Sequence, residues 1–331
     1  MYKIKQLAED FLVEEIATLK TDEKGRYSYF ILEKTNCTTV NAIEALAQKI
    51  NVPIKNIGFA GNKDKNAITR QYISIFHGSK STENILLKNI SLKYIGNGNN
   101  PISLGDLEKN KFTITIRNIS KTEIDRLKFF ENKNSDIPNL FGPQRFSKNN
   151  AEVGKSIIKK DFKKAAGLIL ENDGIVEKTL KNYLSINKND YIGALRIIPL
   201  KTRKIYVHAY QSYLFNEIAK KYLDPKNKKQ KMKIPIIGFD FEIEKIAEKH
   251  LRNAVEQLVK EEKISPRDFI IPQMPELTSE GTERDLFFEL NDLRVIEVSD
   301  DELNEEMKKT KVEFTLPKSC YATVAIKFIF S

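Results

Sequence analysis

The chain has 331 residues, 40% hydrophobic and 30% charged, with 55 Lys and Arg against 45 Asp and Glu for a formal charge of +10. That length supports about two domains with at least one sizeable core. No run of about 18 apolar residues spans a bilayer, and Glu9-Asp10 interrupts the N-terminus before a secretory apolar region forms, so a membrane protein is excluded and the cytoplasm expected. Cys37 and Cys320 lie far apart without a CxxC partner, and His77, His208 and His250 are scattered, so no zinc or iron–sulfur framework is expected. Each cysteine reads as a reduced, half-buried small hydrophobe. The positive charge favours an anionic partner, most simply nucleic acid, although a basic surface serving only solvation explains it equally well.

In chain order, alternation of apolar and polar residues predicts strands over Phe11–Ile16, Tyr27–Glu33, Gln71–Phe76 and Lys111–Arg117. Between them, Val40, Ile43, Leu46, Ala47 and Ile50 keep the spacing of one buried helix face over Val40–Ile50, with Pro53 as the stop. Beyond residue 150 the pattern turns helical, over Lys155–Leu170, His208–Tyr222 and Ile243–Val259. The lysine run through Lys220, Lys221, Lys226, Lys228, Lys229, Lys231 and Lys233 reads as an exposed loop, with solvation as its default role and phosphate contact as the sharper one. Glu297, Asp300, Asp301, Glu302, Glu305 and Glu306, followed by Lys308, Lys309 and Lys311, predict a self-compensating surface helix facing away from RNA. Thr323–Phe330 alternates again, with Val324, Ile326 and Phe328 on one face, and predicts a last strand returning to the first sheet. A strand-rich first half, a helical middle and a final strand predict an α+β protein whose middle block is an insertion.

Residues 57–71 carry the chemistry: a short apolar strand, a Gly61-Asn62 turn, then Asp64 between Lys63 and Lys65. Cations beside a carboxylate favour its ionised form, which suits a nucleophile or general base. The plainer account, an aspartate ending a turn on a basic surface, is the commoner fate of such a string. A Walker phosphate loop is absent.

The string Phe59-Ala60-Gly61-Asn62-Lys63-Asp64-Lys65-Asn66-Ala67-Ile68-Thr69-Arg70-Gln71 resembles the signature of the TruD family of tRNA pseudouridine synthases. Four further blocks resemble the family's motifs in order: Glu9-Asp10-Phe11-Leu12-Val13-Glu14-Glu15, Asn139-Leu140-Phe141-Gly142-Pro143-Gln144-Arg145-Phe146, Gln211-Ser212-Tyr213-Leu214-Phe215-Asn216 and Leu316-Pro317-Lys318-Ser319-Cys320-Tyr321-Ala322-Thr323. In the last block Ser319 and Cys320 stand where the family has Gly-Ser, and Leu140 replaces the usual Tyr.

The resemblance implies a pseudouridine synthase catalytic domain on a mixed, mainly antiparallel sheet (1–160 plus 296–331), interrupted by an inserted α/β domain (161–295). It implies conversion of uridine to pseudouridine in tRNA, at uridine-13 of the D-arm, by a monomer without metal or other cofactor. Asp64 matches the catalytic aspartate. Phe11, Asn139 and Tyr321 match positions lining the uridine, Phe141 an aromatic that stacks on the flipped base, and Lys5 a basic residue pairing with a carboxylate or phosphate. The expected tRNA-binding surface is basic. A tRNA-folding chaperone without turnover is the rival from another class, and it would have a substituted Asp64. A metal-dependent nuclease would need converging acidic ligands, and Glu9, Asp10, Glu14 and Glu15 alternate along a strand instead.

Overall fold

Period-two patterning in the first half produces β1 (Phe11–Ile16), β2 (Tyr27–Thr35), β3 (Ile57–Phe59), β4 (Ile68–Phe76), β5 (Ile90–Gly98), β6 (Lys109–Ile119) and β7 (Ser135–Pro138), with helices α1 (Thr39–Lys49) and α2 (Lys121–Phe130) between them. The middle is helical: α3 (Asn150–Ile158), α4 (Phe162–Leu170), α5 (Ile175–Ile186), α6 (Tyr191–Arg196), α7 (Leu200–Tyr222) and α8 (Lys249–Glu262), with the short strands β8 (Lys233–Ile236) and β9 (Thr282–Asp285). The chain ends in β10 (Phe287–Asp300), β11 (Lys308–Pro317) and α9 (Ala322–Phe330). This computed structural model describes residues 1–223 and 231–331. They form two compact units, Met1–Ile137 with Phe288–Ser331, and Pro138–Phe287.

In the first unit the sheet runs β5-β2-β4-β1-β6-β11-β10-β7, with β3 paired to β4. β1 and β4 are parallel, Leu12 opposite Ile68. The pairs β2–β4, β2–β5, β3–β4, β1–β6, β6–β11 and β10–β11 are antiparallel, so the sheet is mixed and mainly antiparallel and the architecture α+β. α1 is capped by Thr38, whose side chain accepts from the Asn41 amide, and lays Ala42, Ile43, Leu46 and Ala47 on Phe30, Leu32, Ile73 and Ile75. A second core joins Ile114 and Ile116 of β6 and Val312 and Phe314 of β11 to Ala325, Ile326 and Ile329.

The second unit is a helical core. Val153, Ile157, Phe162, Ala165, Val207 and Phe215 pack together, with β8 and β9 as a separate antiparallel pair. Gly154 of α3 lies so close to α7 that an added Cβ would meet the Tyr206 carbonyl oxygen at 2.1 Å. The edges at 137/138 and 287/288 differ from those expected at 160/161 and 295/296: α3 shares the core of α4 and α7, and β10, which starts at Phe287, pairs with β11 in the sheet of the first unit.

Several expected elements differ. Residues 323–330 form α9, not a strand: Ala322, Ala325, Ile326 and Ile329 are buried at helical spacing, and so short an apolar run fits both periods. The stretch 155–170 is two helices, broken where Lys160 takes φ 61° and Asp161 caps Lys164. α8 starts at Lys249, capped by Glu248, with only a 3-10 turn at Ile243–Lys245. The acidic segment is no helix but the β10–β11 hairpin. Its charges compensate across the strands, Asp300 with Lys308 and Glu302 with Lys309, while Asp301 turns inward to Arg117. Of the lysine run, Lys220 and Lys221 end α7 and Lys233 opens β8. Lys226, Lys228 and Lys229 lie outside the described residues. Both cysteines are half-buried. Among the described residues, no helix is long and apolar enough to cross a membrane.

Candidate active site

Asp64 sits in the loop joining β3 to β4, with 31% of its side chain exposed. The Lys5 ammonium donates to its Oδ2 at 2.7 Å and lies 4.0 Å from the centre of the Phe11 ring, at the start of β1. Lys5 reaches this place because its backbone adopts φ 60°, two residues after Lys3 pairs with Arg117 through main-chain bonds of 2.8 Å. Three of the residues expected at a site, Lys5, Phe11 and Asp64, are thus gathered at one point. Phe11 itself is 2% exposed, set edge-on to Phe112 at 6.0 Å, so Lys5 covers a ring that otherwise belongs to the core.

The loop is tied at nearly every residue. The buried Gln71 side chain donates to the Gly61 carbonyl at 3.1 Å and accepts from Thr39 Oγ1 at 2.9 Å, and Thr39 Oγ1 in turn accepts from the Lys63 amide. The Lys63 ammonium turns away from Asp64 to Glu15 Oε1 at 2.6 Å, while Glu15 Oε2 accepts from the Tyr72 amide. Beneath the loop the wholly buried Lys34 donates to the carbonyls of Cys37 and Asp64, at 2.6 and 2.8 Å. Burial pushes the Lys34 ammonium below the usual lysine range and the Lys63 charge adds to this, against the pull of Cys37 and Asp64. Sequence reasoning put Lys63 beside Asp64 as a partner, and it missed Lys34, Thr39 and Gln71. Alternation held a signal for Lys34, which falls on the face of Phe30 and Leu32.

The carboxylates near β1 do not converge. Asp10 bonds to Arg117, Glu14 to Arg70, and Glu15 to Lys63. Among the described residues, no three His, Cys, Asp or Glu side chains gather as a metal site.

Tyr321, in the same unit as Asp64, is the N-cap of α9 and follows a turn in which Ser319 takes φ 67°. The serine therefore adopts the left-handed backbone that the family's glycine favours. Asn139 and Phe141 belong to the second unit. Asn139 is buried and accepts from the Arg284 guanidinium through both its carbonyl oxygens, main-chain and side-chain. The Phe141 main chain is clamped by the Asn216 side chain at 2.8 and 3.0 Å. Its ring lies edge-on to Phe215 at 5.4 Å, with Arg284 at 4.4 Å. Arg284, absent from the expected set, is the hub of this cluster, and Arg145 bonds Ser212 at 3.0 Å beside it.

The family described as tRNA pseudouridine synthase D (TruD) matches this chain over residues 2–179, 169–226 and 224–329. The chain belongs to the TruD family. Among its TruD relatives, the tRNA pseudouridine synthase D of Aquifex aeolicus is 28% identical, covering 99% of this chain and 98% of that protein. A probable tRNA pseudouridine synthase D of Methanosarcina acetivorans is 29% identical over 98% of this chain and 91% of its own length. These alignments run over 388 and 408 positions, more than the 331 residues here, so both relatives carry insertions that this chain lacks. The crystal structure of a TruD from Methanosarcina mazei superposes with a TM-score of 0.74 at 28% identity, covering 98% of this chain and 92% of that one.

Proposed function

We propose that this TruD-family tRNA pseudouridine synthase acts on uridine-13 of the D-arm and that Asp64 is its reacting carboxylate. The observation that carries the reading is the Lys5–Asp64 pair at 2.7 Å in the loop with the family's signature, on a side chain that stays partly open to solvent. The reaction breaks the C1′–N1 bond of uridine, turns the uracil, and joins C1′ to C5. The C5 hydrogen is lost to solvent and N1 regains a proton, so the sum is an isomerisation. A carboxylate paired with an ammonium brings a negative charge to the ribose–uracil unit, as nucleophile or as base. Lys5 orients Asp64 and neutralises it between turnovers. The uridine must leave its stack to reach the loop, at a cost of a few kcal/mol offset by contacts to phosphates and by stacking. By the family resemblance, Tyr321 and Phe11 of the first unit and Asn139 and Phe141 of the second are each proposed to act toward the uridine, Phe11 from beneath Lys5. For Asn139 and Phe141 the Arg284 cluster is what fixes their conformation.

Tritium release from C5-labelled uridine in a tRNA transcript, measured with EDTA present, tests this. The wild type is expected to release tritium stoichiometrically with uridine-13. Asp64→Asn, which keeps shape and removes charge, should release none while binding the transcript as tightly. Release by Asp64→Asn at the wild-type rate would remove Asp64 from the chemistry. Tight binding without release by the wild type would make the protein a non-catalytic binder of this RNA.

A further inference from the structure

We infer that Lys34 is a positioning residue for the isomerisation: its buried ammonium grips the main chain of Asp64 and sets where the reacting carboxylate stands. The inference rests on the reading of Asp64 given above. Lys34 is on β2 and fully buried, on the face that Phe30 and Leu32 present to α1. A lysine there is destabilising unless the site compensates it, because its ammonium has been taken out of water. A methionine or leucine would fill the same volume without that cost.

What repays the burial is visible at Nζ. Both of its hydrogen-bond acceptors are main-chain carbonyls, Cys37 at 2.6 Å and Asp64 at 2.8 Å. Cys37 precedes Thr38, the N-cap of α1, so one cation ties the start of that helix to the catalytic loop. Gln71 and Thr39 fix the loop at Gly61 and Lys63, and neither touches the peptide that follows Asp64. Rotation of that peptide swings the Asp64 side chain, and Lys34 is the group that holds its oxygen. Lys5 then fixes the side chain from the other end. A carboxylate misplaced by about 1 Å loses about a hundredfold in rate even where its chemistry is unchanged.

Two variants and one control test this. Lys34→Met keeps the stem and removes both donors. Lys34→Gln restores one neutral donor. Single-turnover tritium release, tRNA affinity and thermal midpoint are measured for each, beside Asp64→Asn. The expected result is a loss of about a hundredfold in rate for Lys34→Met and about tenfold for Lys34→Gln, with affinity within about twofold of wild type in both. A hydrogen-bond donor that rescues rate without moving affinity is not what a purely structural lysine would show. Should Lys34→Met fail to fold, folded Lys34→Gln decides alone. A loss of less than about fivefold per folded molecule overturns the inference, and a larger loss at unchanged affinity supports it. An inert Asp64→Asn beside wild-type rates in the Lys34 variants refutes the role of Lys34 only. A fully active Asp64→Asn refutes the reading on which it rests.

Discussion

Single residues in this protein act through charges that other residues cancel or hold. Arg117 is the clearest structural case. It lies 4% exposed and bonds Asp10, Asp301 and Glu302, and the Asp10 bond leads in holding its guanidinium above the ordinary arginine value. Arg117→Met is expected to destabilise the protein by about 3–5 kcal/mol in urea titration at neutral pH, since it leaves Asp10 and Asp301 buried without their cation. Burial alone would push the Asp301 carboxyl up, but bonds from Asn118, Asn304, Leu303 and Arg117 hold it below the ordinary value. A folded pKa below the unfolded one contributes stability above the unfolded value and loses it as pH falls through the folded value. The wild-type advantage over Arg117→Met should therefore shrink in acid, and an advantage that grows there would refute the linkage. At this scale Asp64 was legible in the sequence, since its string resembles one family's signature. Lys5, 59 residues away, was named through the same resemblance as a basic residue pairing with a carboxylate or phosphate, whereas Lys63, next in sequence, turns to Glu15, and Lys34 was not legible as a partner.

Elements are set by periodicity where the run is long and by packing where it is short. The strands Phe11–Ile16, Tyr27–Thr35, Ile68–Phe76 and Lys109–Ile119 and the helix 39–49 follow their patterns within a few residues, while β5 was not foreseen. α9 does not, because eight apolar-rich residues satisfy a period of two and a period of 3.6 alike, and its choice is made by the core of β6 and β11 that it covers. The break between α3 and α4 likewise depends on Lys160 at φ 61°, a conformation no spacing announces. The close approach of α3 to α7 at Gly154 gives a direct check. Gly154→Ala would place a Cβ 2.1 Å from the Tyr206 carbonyl, so the helices must separate, and thermal unfolding should show a loss of about 1–3 kcal/mol despite alanine's better helix propensity. A stabilised Gly154→Ala would refute that packing.

For the molecule as a whole, the excess of ten positive charges and the tRNA substrate of its family make binding a counterion-release process. Affinity for tRNA is expected to drop on the order of a thousandfold between about 50 and 200 mM salt, read by filter binding, as for a protein meeting six or more phosphates. An affinity flat across that range would deny the charge its role. By itself the sequence determined the α+β class, the interruption of the sheet by a helical block, and the loop that holds Asp64, because patterning and motif strings are local properties of the chain. The tertiary structure alone decided the edges of the two units, the helical state of the C-terminus, and the ties of Lys34, Thr39 and Gln71 around the loop. These depend on which distant side chains meet, and a buried ammonium or a short apolar run finds its state only when the surface it packs against is in place.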